Sequence, residues 1–147
     1  MQLTSTAFTH SASIPSKYTC DGENVNPPLA VSGVPAGAQS LVLIVDDPDA
    51  PRGDWVHWTI WNIAPTTSDI AEHSVPRRAV EGTTDFGNTG YGGPCPPSGT
   101  HRYQFKLSAI DTTLSLDSSA RKADIERVAE GHVLAQTTLI GLYSRDR

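Results

Sequence analysis

Four stretches of the chain show the hydrophobic pattern of β-strands. Residues 40–47, SLVLIVDD, form an unbroken apolar run rich in β-branched side chains, which predicts a strand buried on both faces. Residues 55–63, WVHWTIWNI, combine aromatic and β-branched side chains and predict a second strand. Residues 101–111, HRYQFKLSAID, alternate apolar and polar positions, and residues 137–145, TTLIGLYSR, predict a last strand.

The period-two repeat of a strand assigns side chains to opposite faces of the sheet. In the second strand, strict alternation places four residues on one face, namely His57, Thr59, Trp61 and Ile63. The opposite face of that strand then carries Val56, Trp58, Ile60 and Asn62. In the strand at 101–111, the apolar face carries His101, Tyr103, Phe105, Leu107 and Ala109. Arg102 points away from this face, and we expect it to form an ion pair with an acidic neighbour.

One helix is predicted at residues 118–132, SSARKADIERVAEGH. Ser118 or Ser119 is expected to cap its first turn, and Gly131 is expected to end it. The apolar stripe of this helix consists of Ile125, Val128 and Ala129. Because strands do not alternate with helices along the chain, we predict a mainly β protein whose sheet is largely antiparallel.

Length and charge exclude several classes of protein. With 147 residues, the chain is predicted to form a single domain over residues 1–147. Its net charge of −5 and the lack of a basic cluster argue against nucleic-acid binding. No apolar stretch reaches the roughly 20 residues of a membrane span. The first 20 residues lack a basic start and an apolar segment, so we expect no signal peptide and a cytoplasmic location.

The chain has two cysteines, Cys20 and Cys95. In a reducing cytoplasm we expect both to be free thiols, and a disulfide between them is the alternative. Neither belongs to a CxxC pair, so a structural zinc site is not expected.

Polar side chains stand where the predicted strands begin or end. Asp47 and Asp49 follow the first strand, and His57 lies near the start of the second. His101 and Tyr103 open the third strand. Prolines restrict the loops beside them, at Pro48, Pro51, Pro94, Pro96 and Pro97. Because such stiff loops hold their neighbours at low entropic cost, we expect these side chains to line a common cleft.

Such a group of side chains allows three kinds of chemistry. Imidazoles and a phenol can donate hydrogen bonds to a small anion. Two histidines with one carboxylate also match the metal site of a 2-His-1-carboxylate enzyme, which is the first alternative. Ser98 lies near His101, but the GxSxG turn of a serine hydrolase is missing, so a hydrolase is a weaker alternative.

Two longer motifs resemble a known family. DDPDAP with VHW, within residues 46–58, and GPCPPSGTHRY, residues 93–103, resemble the two signature regions of the phosphatidylethanolamine-binding protein family. They are most similar to its bacterial and archaeal branch, often called Raf kinase inhibitor-like. The resemblance spans nearly the whole chain, through YTCDGENVNPPL (18–29), DFGNTGYGG (85–93) and GHVLAQTTLIGLYSR (131–145). It implies a large central antiparallel sheet, a smaller second sheet and a C-terminal helix.

The resemblance also implies a small surface pocket that accepts phosphate-like or other anionic headgroups. Carried over residue by residue, its ligand-binding residues are Asp47, Asp49, Pro51, His57, Cys95, Pro96, Pro97, His101 and Tyr103. We expect Asp47 to accept a proton from His57 or His101, which would fix the ring tautomer and raise the imidazole pKa. The histidines and the Tyr103 hydroxyl would then donate to the anion.

The predicted function is the binding of small anions, such as phosphate or phosphoethanolamine-type headgroups, without catalysis, cofactor or metal. Because relatives regulate kinases and proteases, the resemblance also implies an inhibitory role toward a protein partner of that kind. Bacterial relatives often pair, so a homodimer is a further expectation. The second alternative is a pure protein-interaction module whose pocket is incidental.

Overall fold

The computed structural model describes residues 1–145 and contains two β-sheets and one α-helix. Its strands are β1 (Gln2–Thr4), β2 (Ala12–Ser13), β3 (Leu29–Ser32), β4 (Ser40–Asp47), β5 (Trp55–Ile63), β6 (Asp69–Ile70), β7 (Val80–Glu81), β8 (His101–Ile110) and β9 (Val133–Tyr143). The helix α1 covers Lys122–Ala129, and a single 3₁₀ turn covers Ser16–Tyr18. The predicted domain extends two residues further, and residues 146–147 lie outside the described residues.

The larger sheet has six strands in the order β2-β9-β8-β4-β5-β7. All of its neighbouring strands run antiparallel except β2 and β9, which run parallel. The smaller sheet has the order β1-β3-β6 and is antiparallel throughout. The predicted architecture, mainly β with two sheets and a helix near the C-terminus, is confirmed.

Strand β4 lies at the centre of the molecule and is buried along its whole length, as its unbroken apolar run predicted. One face of β4 packs, together with β8, against the smaller sheet, and this layer includes Leu43, Phe105 and Val31. The other face packs against α1, and that layer includes Val42 and Ile125. An apolar run without polar alternation is therefore what a strand between two apolar layers requires.

The prediction for the faces of β5 is wrong at His57. Val45 of β4 pairs with Trp58, but the next residue, Asp46, pairs with Val56, so His57 is an extra residue in β5. Such a β-bulge breaks the period-two alternation and re-aims the inserted side chain. The His57 ring consequently lies on the same face of the sheet as Trp58, whereas alternation would have put it on the opposite face.

A second irregularity displaces Ile63 from its predicted face. Leu43 pairs with Ile60 and Leu41 pairs with Ile63, so β5 again contains one residue more than β4. Asn62, within this bulge, has a φ of 57°, in the left-handed region. Ile63 therefore packs in the layer between the two sheets together with Ile60.

The helix is shorter than predicted and has a different cap. It begins at Lys122, and the Asp124 side chain accepts a hydrogen bond from the backbone N–H of Arg121 at 2.9 Å. The predicted cap Ser119 instead bonds to Asp117, which satisfies its hydroxyl locally. Of the expected apolar stripe, Ile125 and Ala129 are buried, whereas Val128 is 38% exposed.

The last strand, β9, begins at residue 133, four residues before the predicted start, because it pairs with almost the whole of β8. Among the described residues, no helix combines the length and the apolar character needed to cross a membrane.

Candidate functional site

A pocket of about 200 Å³ opens where three strands of the larger sheet meet. Because β4 is antiparallel to both β5 and β8, the end of β4 lies beside the start of the other two. The residues that line this pocket are Asp47, Ala50, Pro51, Trp55, His57, Phe86, Cys95, Pro97, His101 and Tyr103. Seven of the nine predicted ligand-binding residues therefore line this pocket.

Asp47 and His101 form the most buried polar pair of the pocket. The Nδ1 of His101 lies 2.6 Å from Oδ2 of Asp47, and the two residues are 7% and 3% exposed. The other carboxylate oxygen of Asp47 accepts a hydrogen bond from the backbone N–H of Asp49 at 2.8 Å. The carboxylate therefore holds the His101 proton on Nδ1 and leaves Nε2 as the ring nitrogen available to a ligand.

His57 bonds to a backbone carbonyl and not to Asp47. Its Nδ1 lies 2.6 Å from the carbonyl oxygen of Gly92, and the backbone N–H of Gly92 donates to the carbonyl of His57 at 2.9 Å. Burial lowers the pKa of His57 below its ordinary value, although the bond to Gly92 and the nearby Asp47 charge act in the opposite direction. Of the two histidines expected to bond to Asp47, the structure pairs His101 with it, and the pKa of His57 is lowered overall because burial outweighs the charge of Asp47.

Tyr103 contributes a hydroxyl that finds no hydrogen-bond partner among residues 1–145. The residue is only 1% exposed, and its ring contacts those of His57 and His101, with centroids 5.2 and 6.4 Å away. Burial raises the pKa of Tyr103, and the nearby carboxylates of Asp47 and Asp49 add to this effect. The hydroxyl is therefore protonated at neutral pH and keeps a donor without a partner in the described residues.

Two of the expected pocket residues lie outside the lining. Asp49 turns outward and accepts two hydrogen bonds from the Arg102 guanidinium, at 2.8 and 2.9 Å, which confirms the ion pair expected for Arg102. The Arg102 side chain lowers the pKa of Asp49 to about 2. Pro96 is buried behind the wall that Cys95 and Pro97 present to the pocket.

Two aromatic side chains at the pocket mouth lie outside the nine predicted ligand-binding residues. Trp55 and Phe86 are 38% and 45% exposed, and their rings pack edge-to-face with centroids 5.5 Å apart. The Phe86 ring also contacts His57 and lies against Gly92, where an added Cβ would overlap it. Trp55 is the first residue of a strand next to the site, whereas Phe86 lies in the family motif at 85–93, which gave no reason to assign it to the pocket that it reaches from a long loop.

The prediction of free thiols is wrong, because Cys20 and Cys95 form a disulfide whose Cα atoms are 5.4 Å apart. The backbone N–H of Cys20 donates to the carbonyl of Pro94 at 3.1 Å, and this contact holds the two loops side by side. The backbone N–H of Gly93 donates to Oδ1 of Asn24 at 2.8 Å in the same region. Residues 75 positions apart in sequence are thereby covalently joined at the pocket wall.

The geometry gives no support to the two enzymatic alternatives. Residues 1–145 contain no group of three His, Cys, Asp or Glu side chains arranged to hold a metal ion. The carboxylate of Asp47 is directed at Nδ1 of His101, whereas His57 bonds to a backbone carbonyl. Ser98 makes no hydrogen bond to His101 in the described part of the chain and does not line the pocket.

The chain is similar over its whole length to a set of known proteins. The model of a family described as phosphatidylethanolamine-binding protein matches residues 4–144. A UPF0098 protein of Methanothermobacter thermautotrophicus is 51% identical over 150 residues, which cover 99% of each chain. The UPF0098 protein PH1269 of Pyrococcus horikoshii is 46% identical, over 96% of this chain and 75% of the relative.

Two solved structures share the fold. The crystal structure of a phosphatidylethanolamine-binding protein homolog, CT736 of Chlamydia trachomatis, superposes with a TM-score of 0.95 at 43% identity, covering 99% of this chain and 97% of that one. The structure of Escherichia coli YbcL, described as a new member of the mammalian PEBP family, has a TM-score of 0.92 at 33% identity, covering 99% and 98%.

Proposed function

The chain belongs to the phosphatidylethanolamine-binding protein family, and from this premise we propose that its pocket binds small anions, with phosphorylated headgroups as the preferred class. We propose binding without catalysis. The observation that carries the proposal is that Tyr103 lines the pocket while its buried hydroxyl has no partner among residues 1–145. A buried donor without a hydrogen bond costs about 1–3 kcal/mol, so a ligand that accepts a hydrogen bond from it recovers that free energy.

The other polar groups of the pocket suit a phosphate monoester. Asp47 bonds to Nδ1 of His101, so Nε2 is the ring nitrogen left for a ligand, and it donates to an anion when both ring nitrogens carry protons. His57 stays neutral through its lowered pKa and donates from Nδ1 to Gly92, so its Nε2 is an acceptor. A singly protonated phosphate monoester has oxygens that accept hydrogen bonds from Tyr103 and His101. It also has an O–H that donates to His57.

The aromatic mouth favours an esterified phosphate over the free ion. Trp55 and Phe86 expose large apolar surfaces beside the polar base of the pocket. Free phosphate is too small to cover them, whereas the organic part of a headgroup would bury part of this surface at about 25 cal/mol per Å². Because the chain carries a net charge of −5, long-range attraction does not assist anions, and we expect modest affinity.

The experiment is calorimetric titration of phosphoethanolamine, phenyl phosphate and inorganic phosphate into wild-type protein and the Tyr103→Phe variant. Loss of a hydrogen bond to a charged ligand should weaken binding about 10-fold or more. Tyr18→Phe is the matched control, because its hydroxyl bonds to Glu72 at 2.9 Å and does not line the pocket. We expect unchanged affinity in this control.

Equal loss in both variants, or no binding of any of the three ligands by the wild type, would refute the proposal. Equal affinity for the two esters and the free ion would leave anion binding intact but refute the preference for headgroups.

Regulation of a kinase or protease, a homodimer and a cytoplasmic location stay predictions, as does the organisation of residues 1–147 as a single domain. Exposed aromatic side chains at a pocket mouth suit contact with a protein partner, since such residues are enriched at interfaces. A pull-down that compares wild type with His101→Ala determines whether partner binding depends on the pocket or uses another surface.

A further inference from the structure

One wall of the pocket, formed by residues 95–100, has a single cross-link to a distant part of the chain. Residues 95–100 connect Pro94 to the start of β8, and in the described part of the chain they form no hydrogen bond. Their one cross-link to a distant part of the chain is the disulfide between Cys95 and Cys20. Because Cys95 and Pro97 line the pocket, this bond fixes part of the binding surface.

The residues just before this segment are held independently of the disulfide. The carbonyl of Pro94 accepts a hydrogen bond from Cys20, and the N–H of Gly93 donates to Asn24. The Tyr91 hydroxyl donates to the carbonyl of Tyr18 at 2.7 Å. These three hydrogen bonds and the two between Gly92 and His57 secure residues 91–94, so loss of the disulfide would release the wall after Pro94 and leave the chain before it in place.

The base of the pocket is likewise independent of the disulfide. His101 and Tyr103 belong to β8, which pairs with β4 and β9. Gly92, which lies before the released segment, orients His57, because its carbonyl bonds to the ring Nδ1 and its N–H donates to the carbonyl of His57. Opening the disulfide would therefore change the wall formed by Cys95 and Pro97 without displacing these polar groups.

We propose that the Cys20–Cys95 disulfide is a redox control of ligand binding, in which a dithiol reductant opens the bond, frees residues 95–100 and lowers the affinity of the pocket. This inference rests on the proposed anion binding. Cys95 is exposed and Cys20 is partly exposed, so a reductant can reach the bond from the pocket side. A covalent tie at the wall of a binding site is suited to control, because breaking it changes the preorganisation of the site.

The chemistry is ordinary thiol–disulfide exchange. A thiolate of the reductant attacks Sγ of Cys95, the S–S bond breaks, and Sγ of Cys20 leaves as a thiolate that takes up a proton. The second thiol of the reductant then displaces Cys95 from the mixed disulfide. Two electrons and two protons have moved to the protein, which now carries two thiols, and the reductant has become a disulfide.

The test compares oxidised protein with protein reduced by dithiothreitol. Amide order parameters from ¹⁵N relaxation report the wall at Ser98, Gly99 and Thr100, and we expect them to fall below about 0.6 on reduction. Gly93 and Leu107 should stay rigid, since one is hydrogen-bonded to Asn24 and the other lies within β8. Phenyl phosphate affinity should fall about 10-fold, because ordering even one backbone residue on binding has a cost of this size.

The double variant Cys20→Ala/Cys95→Ala is the control for the reductant. It should match the reduced wild type in mobility and affinity, and dithiothreitol should change neither property further. Because the variant lacks both thiols, agreement between the two samples assigns the effect to the missing bond.

Reduction that leaves the order parameters or the affinity unchanged would overturn the inference. Unfolding of the whole protein on reduction would do the same, because the disulfide would then be a general staple of the fold. If the oxidised protein binds no phosphate compound, the proposed function fails, and with it the ligand part of the inference. The relaxation measurements still decide separately whether the bond holds the wall.

Discussion

Tyr103 and His101 stand two positions apart on β8, so both side chains fall on its buried face. Their polar atoms have different roles in the pocket. His101 is held by Asp47, whereas the Tyr103 hydroxyl has no partner in the described residues. The oriented His101 ring and the unsatisfied Tyr103 hydroxyl preorganise the pocket for an anion that accepts hydrogen bonds. The affinity for such an anion should therefore depend on the protonation of individual residues.

We expect sulfate affinity to be higher in acidic than in neutral solution. An imidazole that carries protons on both nitrogens offers the anion a donor and a positive charge, whereas the neutral ring of His101, with its proton on Nδ1, offers neither at Nε2. His57 contributes at lower pH only, because burial lowers its pKa. Calorimetric titration with sulfate from pH 5 to 8 measures the effect, since sulfate keeps its charge where phosphate itself titrates.

The matched variants for this measurement are His101→Gln and His132→Gln. His132 pairs with Asp111 at 2.7 Å on the exposed surface and does not line the pocket. The pH dependence should be lost in the first variant and retained in the second. Sulfate affinity that stays constant or increases above pH 7 in the wild type would contradict donation by histidine.

At the scale of elements, strand ends and loops build the site around a regular sheet. The bulge in β5 turns His57 toward Gly92, and the loop that follows Gly92 supplies the wall. Gly93 lies where this loop crosses residues 18–24 at close range. The shape of the pocket therefore depends on how closely two loops approach each other.

The variant Gly93→Ala should destabilise the protein by about 1–3 kcal/mol and weaken phosphate binding, because its Cβ would overlap the carbonyl of Tyr18 and the amide oxygen of Asn24. Gly131→Ala is the matched control, because Gly131 does not line the pocket. Gly131 has a φ of +83° with open space around it, so alanine should cost about 1–2 kcal/mol for the left-handed backbone.

Urea unfolding and calorimetric titration of both variants provide the measurement. Phosphate affinity should decrease for Gly93→Ala and stay unchanged for Gly131→Ala. If Gly93→Ala kept full affinity, the close approach of the two loops would not determine the pocket shape.

At the scale of the whole molecule, stability and binding reside in different regions. Two apolar layers, one between the sheets and one beneath α1, provide the burial that stabilises the fold. The pocket lies at the ends of β4, β5 and β8, beside the first of these layers. His57 links the two regions, because burial of its ring affects the free energy of unfolding.

The free energy of unfolding should decrease as the pH falls below about 6.5, with His57 contributing up to about 1.4 kcal/mol per pH unit. The pKa of His57 is lowered in the folded protein, so between that lowered value and 6.5 the unfolded chain binds a proton that the folded chain does not. The stabilisation is complete above pH 6.5 and is lost as the pH falls through the folded-state pKa. Urea unfolding at pH 7.5, 6 and 5 measures it.

Other groups also titrate in this range, so the informative quantity is the difference between wild type and His57→Gln. The decrease should be smaller in the variant. Parallel curves for the two proteins would show that His57 does not have a lowered pKa in the folded state.

Local sequence patterns determined the main strands and part of the site. The apolar run of β4 and the alternation of β8 follow from which faces are buried, and each strand carries that information in its own residues. Alternation likewise put His101 and Tyr103 on one face. The family motifs further predicted that Asp47 lies in the same pocket as His101, although the two residues are 54 positions apart in sequence.

The tertiary structure decided what depends on contacts between distant residues. Strand pairing creates the bulge that turns His57, and the period-two pattern of β5 carries no sign of it. Phe86 reaches the pocket mouth through the path of a loop, and the Cys20–Cys95 bond depends on two loops meeting. The periodicity of a sequence shows which face of a strand or helix is buried. Which strands and loops lie side by side is decided only in the folded chain, where hydrogen-bonding groups and apolar side chains that are distant in sequence meet.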